Sequence, residues 1–139
     1  MKIINELINS FFRHTPKDQL TEDEIEKIKQ NGLIHFTYRY NVESILKEGV
    51  KGGLVSPMNK KEKDYAWFYI YDEKEFEEKK QIVQSKGHRS GYNAYIIIKD
   101  ISQSQIDKLI MRRDNDCAVV IPEKLYTKNM KAYETEAKR

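Results

Sequence analysis

Seven consecutive residues, Tyr65-Ala66-Trp67-Phe68-Tyr69-Ile70-Tyr71, are apolar or aromatic without a break. Such a run is strongly β-prone. Because it is apolar on both faces, it predicts a strand in the interior of a sheet, covered on each side. Around it the chain must supply more strands and the layers that cover them.

Two further runs qualify as strands on the same grounds, Tyr92 to Lys99 and Cys117-Ala118-Val119-Val120-Ile121. The second is delivered by the polar loop Arg112-Arg113-Asp114-Asn115-Asp116, and Pro122 ends it. Lys124 to Tyr133 reads as an edge strand, and the residues after Glu134 as a frayed end. Helices fill the intervals. Ile3, Ile4, Leu7, Ile8, Phe11 and Phe12 recur at helical spacing, one apolar stripe that packs on the domain or meets a partner or second copy. After the break at Pro16, Thr21-Glu22-Asp23-Glu24 is a capping box opening a second helix, which stops at the left-handed C-cap signal Asn31-Gly32. Asn41 is placed to cap a third helix with Val42, Ile45 and Leu46 inward and Gly49 at its end. Asp72 caps a fourth, highly charged helix over 73–85, and Ile101 to Leu109 is a short helical connection. Ser56 to Lys63, with Lys60, Lys61 and Lys63, reads as an exposed basic loop beside the core. Strand neighbours without a full crossover between them favour an α+β domain over a doubly wound sheet.

A chain of 139 residues is most simply one domain, divided into N-terminal helices over 1–31 and a core over 32–133. Its net charge of +3 permits a polyanionic partner without requiring one. Cys117 is the only cysteine, so no internal disulfide forms, and at the head of an apolar run it reads as core rather than nucleophile. No apolar run is long enough to span a bilayer, and the N-terminal pattern does not read as a cleaved signal, so a cytoplasmic protein is expected. Neither a phosphate-cradling glycine loop nor a metal-ligand spacing among His14, His35 and His88 is present, and no metal is expected.

The densest chemistry lies at Leu33-Ile34-His35-Phe36-Thr37, a short strand that runs straight into the helix closing on Gly49. With a side-chain period of two, His35 and Thr37 share a face with Leu33, while Ile34 and Phe36 face the other way. An imidazole and a hydroxyl on one face suit a sugar or a phosphate. They equally suit a histidine satisfied by a backbone carbonyl. The aromatic run and the acidic loop at 114–116 are the segments best able to complete a site with them. His88-Arg89, inside the glycine-bracketed turn Gly87 to Gly91, could touch a phosphate but reads first as an exposed, unengaged pair.

The run His35-Phe36-Thr37, three residues, Asn41-Val42-Glu43-Ser44-Ile45-Leu46, two residues, Gly49-Val50 resembles the opening motif of DarT-like ADP-ribosyltransferase toxins. More distantly it resembles the wider ADP-ribosyltransferase and RNA 2′-phosphotransferase superfamily. Asp64-Tyr65-Ala66-Trp67-Phe68-Tyr69-Ile70 is similar to the aromatic strand of the same toxins, and the two matches cover about a fifth of the chain. The resemblance implies a split mixed β-sheet around an NAD⁺ cleft. In it His35 bonds the adenine-side ribose, Thr37, Asn41 and Tyr65 add cofactor contacts, and Tyr69 stacks on nicotinamide. A carboxylate ahead of the last core strand acts at the nicotinamide ribose. Where the family carries glutamate this chain offers Asp116, one methylene shorter, and for the family's arginine it offers Arg39, Arg89 or Arg113.

The expected activity is accordingly NAD-dependent mono-ADP-ribosyl transfer, by a toxin or phage–host effector, to a nucleic acid or protein acceptor. The alternatives are a catalytically inactive module of the same shape that binds a nucleotide, nucleic acid or partner protein, and an interaction protein working through the helix at 3–12.

Overall fold

A computed structural model describes residues 19–52 and 65–138. The helix expected at 3–12, the break at Pro16, His14, the basic loop at 56–63 and Asp64 lie outside the described residues.

In chain order, helices and strands run α1 Glu22–Asn31, β1 Leu33–Thr37, α2 Val42–Glu48, β2 Ala66–Ile70, α3 Phe76–Gln84, β3 Ala94–Lys99, α4 Gln103–Ile106, β4 Ile110–Arg112, β5 Ala118–Ile121 and β6 Asn129–Glu134. Single 3-10 turns at Arg39–Asn41, Glu73–Glu75 and Gly87–Gly91 lead into or follow the helices. The domain is α+β. Its six strands form one sheet in the order β4-β5-β2-β1-β3-β6.

Every ladder between neighbouring strands is antiparallel, so the expected mixed sheet is corrected. The reason lies in strand insertion. β2 and β3, joined through α3, do run the same way, as a helical crossover favours. β1 sits between them and is antiparallel to both.

Local signals account for most elements. Thr21 Oγ1 accepts from the Glu24 amide at 3.1 Å and the Glu24 carboxylate accepts from the Thr21 amide at 2.8 Å, closing the capping box of α1. Gly32 ends α1 at φ 84° but with an extended ψ of −168°, which swings the chain directly into β1. A Cβ there would lie 2.2 Å from the Ile98 carbonyl oxygen, so this junction admits only glycine. The Asp72 carboxylate accepts from the Lys74 amide at 2.9 Å and caps the turn into α3.

The sheet divides the interior in two. On one face Leu33, Ile45, Phe68, Ile96, Ile98, Met111, Val119 and Ile121 pack under α1, α2 and α4. On the other, Ile34, Phe36, Tyr69, Val83 and Ala118 pack under α3. Each fully buried aliphatic or aromatic side chain in these layers stabilises the fold by roughly 1.5–3 kcal/mol.

Three segments depart from expectation. Ile110–Arg112, read as connection and loop, forms β4, paired with β5 from Ile110↔Val120 to Arg112↔Ala118. Cys117 is not core: it is exposed in the turn joining those strands, and β5 begins only at Ala118. The cause is the backbone, since Asp116 and Cys117 both take φ 58° and turn the chain before it extends. The end of the chain is docked rather than frayed. The Thr135 and Lys138 amides donate to the carbonyls of Asn93 and Ser90, each at 2.9 Å.

Candidate functional site

The six strands hold together unevenly. β1 matches β3 over five residue pairs, and β2 matches β5 over three. Between these halves, β1 and β2 share only Leu33↔Ile70 and Ile34↔Tyr69. Beyond Ile34 the sheet is split.

The way it splits follows from hydrogen bonding. The Tyr71 amide donates to the Gly32 carbonyl at 3.0 Å. In an antiparallel ladder this directs the main-chain groups of Ile34 and Phe36 of β1 toward β2. Phe36 would be the next to bond, opposite Trp67. Instead the Trp67 carbonyl lies 2.8 Å from His35 Nδ1. A carbonyl can only accept, so Nδ1 carries the proton and donates it. The imidazole thus takes the place of a ladder bond, and the Phe36 amide and carbonyl face the opening.

A cleft of about 530 Å³ occupies this split, within the range of small-molecule and cofactor sites. His35, Thr37, Asn41, Ser44 and the Gly49–Gly52 segment line it from the α2 side. Tyr65, Trp67, Tyr69, Val83 and Tyr92 line it from the β2 and α3 side, with Arg89 and His88 at one wall and Ala118 from β5. The segment after α2 is held in place by reciprocal Val50–Leu125 backbone bonds at 2.9 and 2.8 Å.

Seven of the residues singled out from the sequence meet in this cleft: His35, Thr37, Asn41, Tyr65, Tyr69, His88 and Arg89. His35 and Tyr69 come from opposite faces of the sheet, since Ile34↔Tyr69 sets Tyr69 on the α3 side and the His35 ring packs on Phe68 at 5.6 Å on the other. Both reach the cleft because the sheet is open there. Asn41 does not cap α2. It makes no capping bond, and its side-chain amide turns back to the Thr37 hydroxyl at 3.4 Å, a position that faces the cleft.

Asp116 does not line the cleft. It stands two residues before Ala118, exposed, with its carboxylate 3.0 Å from Lys86 Nζ, which also bonds the Asn115 side chain at 3.1 Å. Its charge is nevertheless felt at Tyr69.

The electrostatics favour neutral rings and an anionic ligand. Burial holds the His35 imidazole below the usual histidine range, and the charge of Arg89 adds to that effect against the opposing bond to Trp67. Neutral His35, with its proton on Nδ1, presents Nε2 as an acceptor for a hydroxyl. Burial, reinforced by Asp116, pushes the Tyr69 phenol up to about 12. Among the described residues that line the cleft there is no carboxylate, while Lys51 and Arg89 contribute positive charge. Lys51 already leans on Glu48 at 2.9 Å. The half-buried Arg89 guanidinium has no hydrogen-bond or ion-pair partner among the described residues. Of the other arginines considered, Arg113 is bound to Glu24 at 2.6 and 2.9 Å, and Arg39 is exposed beside Glu134.

Trp67 and Tyr92 are cleft residues that the sequence reading passed over. For Trp67 a signal existed: Tyr65, Trp67 and Tyr69 are alternate residues of one strand and therefore one aromatic stripe. Among the described residues no group of three or more His, Cys, Asp or Glu is placed to hold a metal, and no helix is long and apolar enough to cross a membrane. No family model, curated protein or solved structure matches the chain.

Proposed function

We propose that this cleft binds NAD⁺ and that the protein is a small mono-ADP-ribosyltransferase. The observation that carries the reading is the split between β1 and β2, where the one imidazole of the opening motif replaces a ladder bond and offers its second nitrogen to a ligand. A split sheet around a cleft, with His35, Thr37, Asn41, Tyr65 and Tyr69 on its walls, is also what the resemblance to DarT-like toxins implies.

In this reading His35 Nε2 accepts from a ribose hydroxyl. Arg89 answers the pyrophosphate charge, assisted by Lys51. The Tyr65, Trp67 and Tyr69 stripe offers a stacking face for nicotinamide, and the Phe36 amide and carbonyl match the donor and acceptor of its carboxamide. The bond from the ribose carbon to the pyridinium nitrogen breaks, and its electron pair leaves with neutral nicotinamide. An acceptor hydroxyl or amine forms the new bond to that carbon, and its proton passes to a carboxylate. Asp116, whose charge is felt at Tyr69, is the carboxylate assigned to this role. It would stabilise the positive charge on the ribose and take the proton.

One observation favours a second reading, a binding module without turnover: no carboxylate among the described residues lines the cleft, and Asp116 is held at its rim by Lys86. A single pair of measurements separates them. Stabilisation by NAD⁺ or ADP-ribose together with nicotinamide release in cell extract supports transfer. Stabilisation with no release supports the binding module, and neither effect would sink both.

A further inference from the structure

The turn that carries Arg89 is also anchored from outside. Residues Gly87–Gly91 form a 3-10 turn, and the following Tyr92 amide closes it on the Arg89 carbonyl at 3.0 Å. Three carbonyls here also accept from other parts of the chain. The Tyr38 hydroxyl donates to the His88 carbonyl, the Lys138 amide to that of Ser90 at 2.9 Å, and the Gln84 side chain to that of Tyr92 at 2.9 Å.

Gln84 is the centre of this arrangement. It is a buried polar residue, 5% exposed, at the last position of α3. Its single nitrogen donates a second time, to the Glu136 carbonyl at 2.8 Å. One amide therefore ties the helix, the Arg89 turn and the segment after β6 into one wall. A buried amide spending both donors on main-chain carbonyls is costly to replace with a side chain that has no donors. Tyr38 is seated just as tightly, for a Cβ on Gly91 would meet its ring at 3.0 Å.

We infer that Gln84 is a positioning residue for the anion subsite at Arg89, acting through the 87–92 turn and touching no ligand itself. The inference rests on the reading of the cleft as a dinucleotide site. Fixing the turn from behind leaves the guanidinium facing the cleft with no carboxylate among the described residues to hold it there. A cation so placed is preorganised for a phosphate, and the entropy of ordering it is spent during folding rather than on binding.

The test is a double-mutant cycle read by calorimetric titration with ADP-ribose and, separately, inorganic pyrophosphate. Arg89→Ala is expected to weaken ADP-ribose binding roughly 10- to 100-fold, the range for loss of a charge-assisted bond. Gln84→Met, similar in shape but without donors, is expected to weaken it about 3- to 10-fold, on the order of one neutral bond. It should add nothing in the Arg89→Ala background, because its effect passes through Arg89. Tyr38→Phe, which keeps the ring and removes one anchor, gives a second variant with the same direction and a smaller effect should Gln84→Met fold poorly. Amide hydrogen exchange over 87–92 should quicken in both. Equal losses from Gln84→Met with and without Arg89, or unchanged affinity with faster exchange, would overturn the inference while leaving the site intact. Unchanged affinity in both Arg89→Ala and His35→Ala would instead overturn the dinucleotide reading itself.

Discussion

His35 Nδ1 and the carbonyl oxygen of Trp67 lie 2.8 Å apart, across the point where the ladder between β1 and β2 gives way. That contact fixes the tautomer of His35 and leaves its other nitrogen facing the cleft. It also makes one side chain answerable for both local structure and binding.

His35→Ala should therefore weaken ADP-ribose binding about tenfold or more, by loss of one hydrogen bond near 1 kcal/mol and the packing beside it. It should leave a cooperative fold, with a modest drop in melting temperature from the unpaired Trp67 carbonyl. A variant that unfolds, or binds normally, removes His35 from the site.

Acid should act through the same ring. Its folded value lies below the ordinary 6.5, so between the two the unfolded chain binds a proton that folded His35 refuses. The stability contributed by the neutral ring is complete above 6.5 and declines as pH falls toward the folded value. Ligand affinity should follow, flat through neutrality and falling in acid as Nε2 becomes a donor. An NMR titration that puts the His35 midpoint at or above 6.5 would contradict the burial argument.

Tyr69 separates ring from hydroxyl. With its phenol pushed up to about 12, it is neutral at any working pH and contributes a flat apolar face rather than charge. Tyr69→Phe should bind ADP-ribose and NAD⁺ nearly as the parent does. Tyr69→Ala should lose NAD⁺ affinity by about 1–3 kcal/mol if the ring stacks on a base, and cost stability besides, since Tyr69 is buried in the layer under α3. Because its folded value is raised, neutral Tyr69 stabilises the fold fully below the ordinary 10.0, and this contribution fades as pH climbs toward 12. Absorbance at alkaline pH should show one tyrosine ionising well after the exposed ones. A Tyr69→Phe variant with greatly weakened binding would assign the hydroxyl a contact that this account does not give it.

Two arginines of equal sequence appeal divide by geometry. Arg113 holds Glu24 with two bonds and the Gln19 carbonyl at 2.9 Å, tying the β4–β5 turn to the start of α1. Its guanidinium is what keeps the Glu24 carboxyl below the usual range. Arg113→Ala should cost about 1 kcal/mol of stability, the upper end for a pair near the surface, and leave ADP-ribose affinity unchanged. Arg89→Ala should do the reverse. The Glu24 contribution is present above the ordinary carboxylate value and lost as acid protonates it, so Arg113→Ala should flatten the acid limb of the stability curve. Chemical denaturation and titration on both variants would expose a crossed result.

The sequence made the strands legible where one face or both had to be buried. Leu33 to Thr37, the aromatic run and the apolar run ending at Ile121 each emerged as strands, and the Thr21–Glu24 box emerged as a helix start. The period of two also paired His35 with Thr37 correctly. What escaped had no local signature. Ile110–Arg112 is three residues long, too short to show a period. The consecutive positive φ angles at Asp116 and Cys117 put a turn where an apolar run had already begun, so Cys117 reads as core and is exposed. The split itself is invisible in one strand's sequence, because it depends on which group reaches the Trp67 carbonyl first. Arg89 was visible only as a cation in a turn; its place in the cleft is set by Tyr38, Gln84 and Lys138, each far from it in the chain or in no pattern with it.

The last test falls on Asp116 and Lys86, which meet at 3.0 Å with both side chains about two-fifths exposed. An ion pair so open contributes little, on the order of 0–1 kcal/mol, so it holds the carboxylate at the rim without fixing it there. The turn that carries it takes positive φ at both Asp116 and Cys117. If Asp116 supplies the proton acceptor, Asp116→Asn should lower nicotinamide release by roughly 10²-fold or more and change ADP-ribose affinity by less than about twofold, since the side chain does not line the cleft. Lys86→Ala should leave stability within about 1 kcal/mol and raise the rate of release, because the carboxylate is no longer held away. Normal release by Asp116→Asn would remove it from the chemistry. With no carboxylate among the described residues that line the cleft, that result would favour the module that binds without turnover.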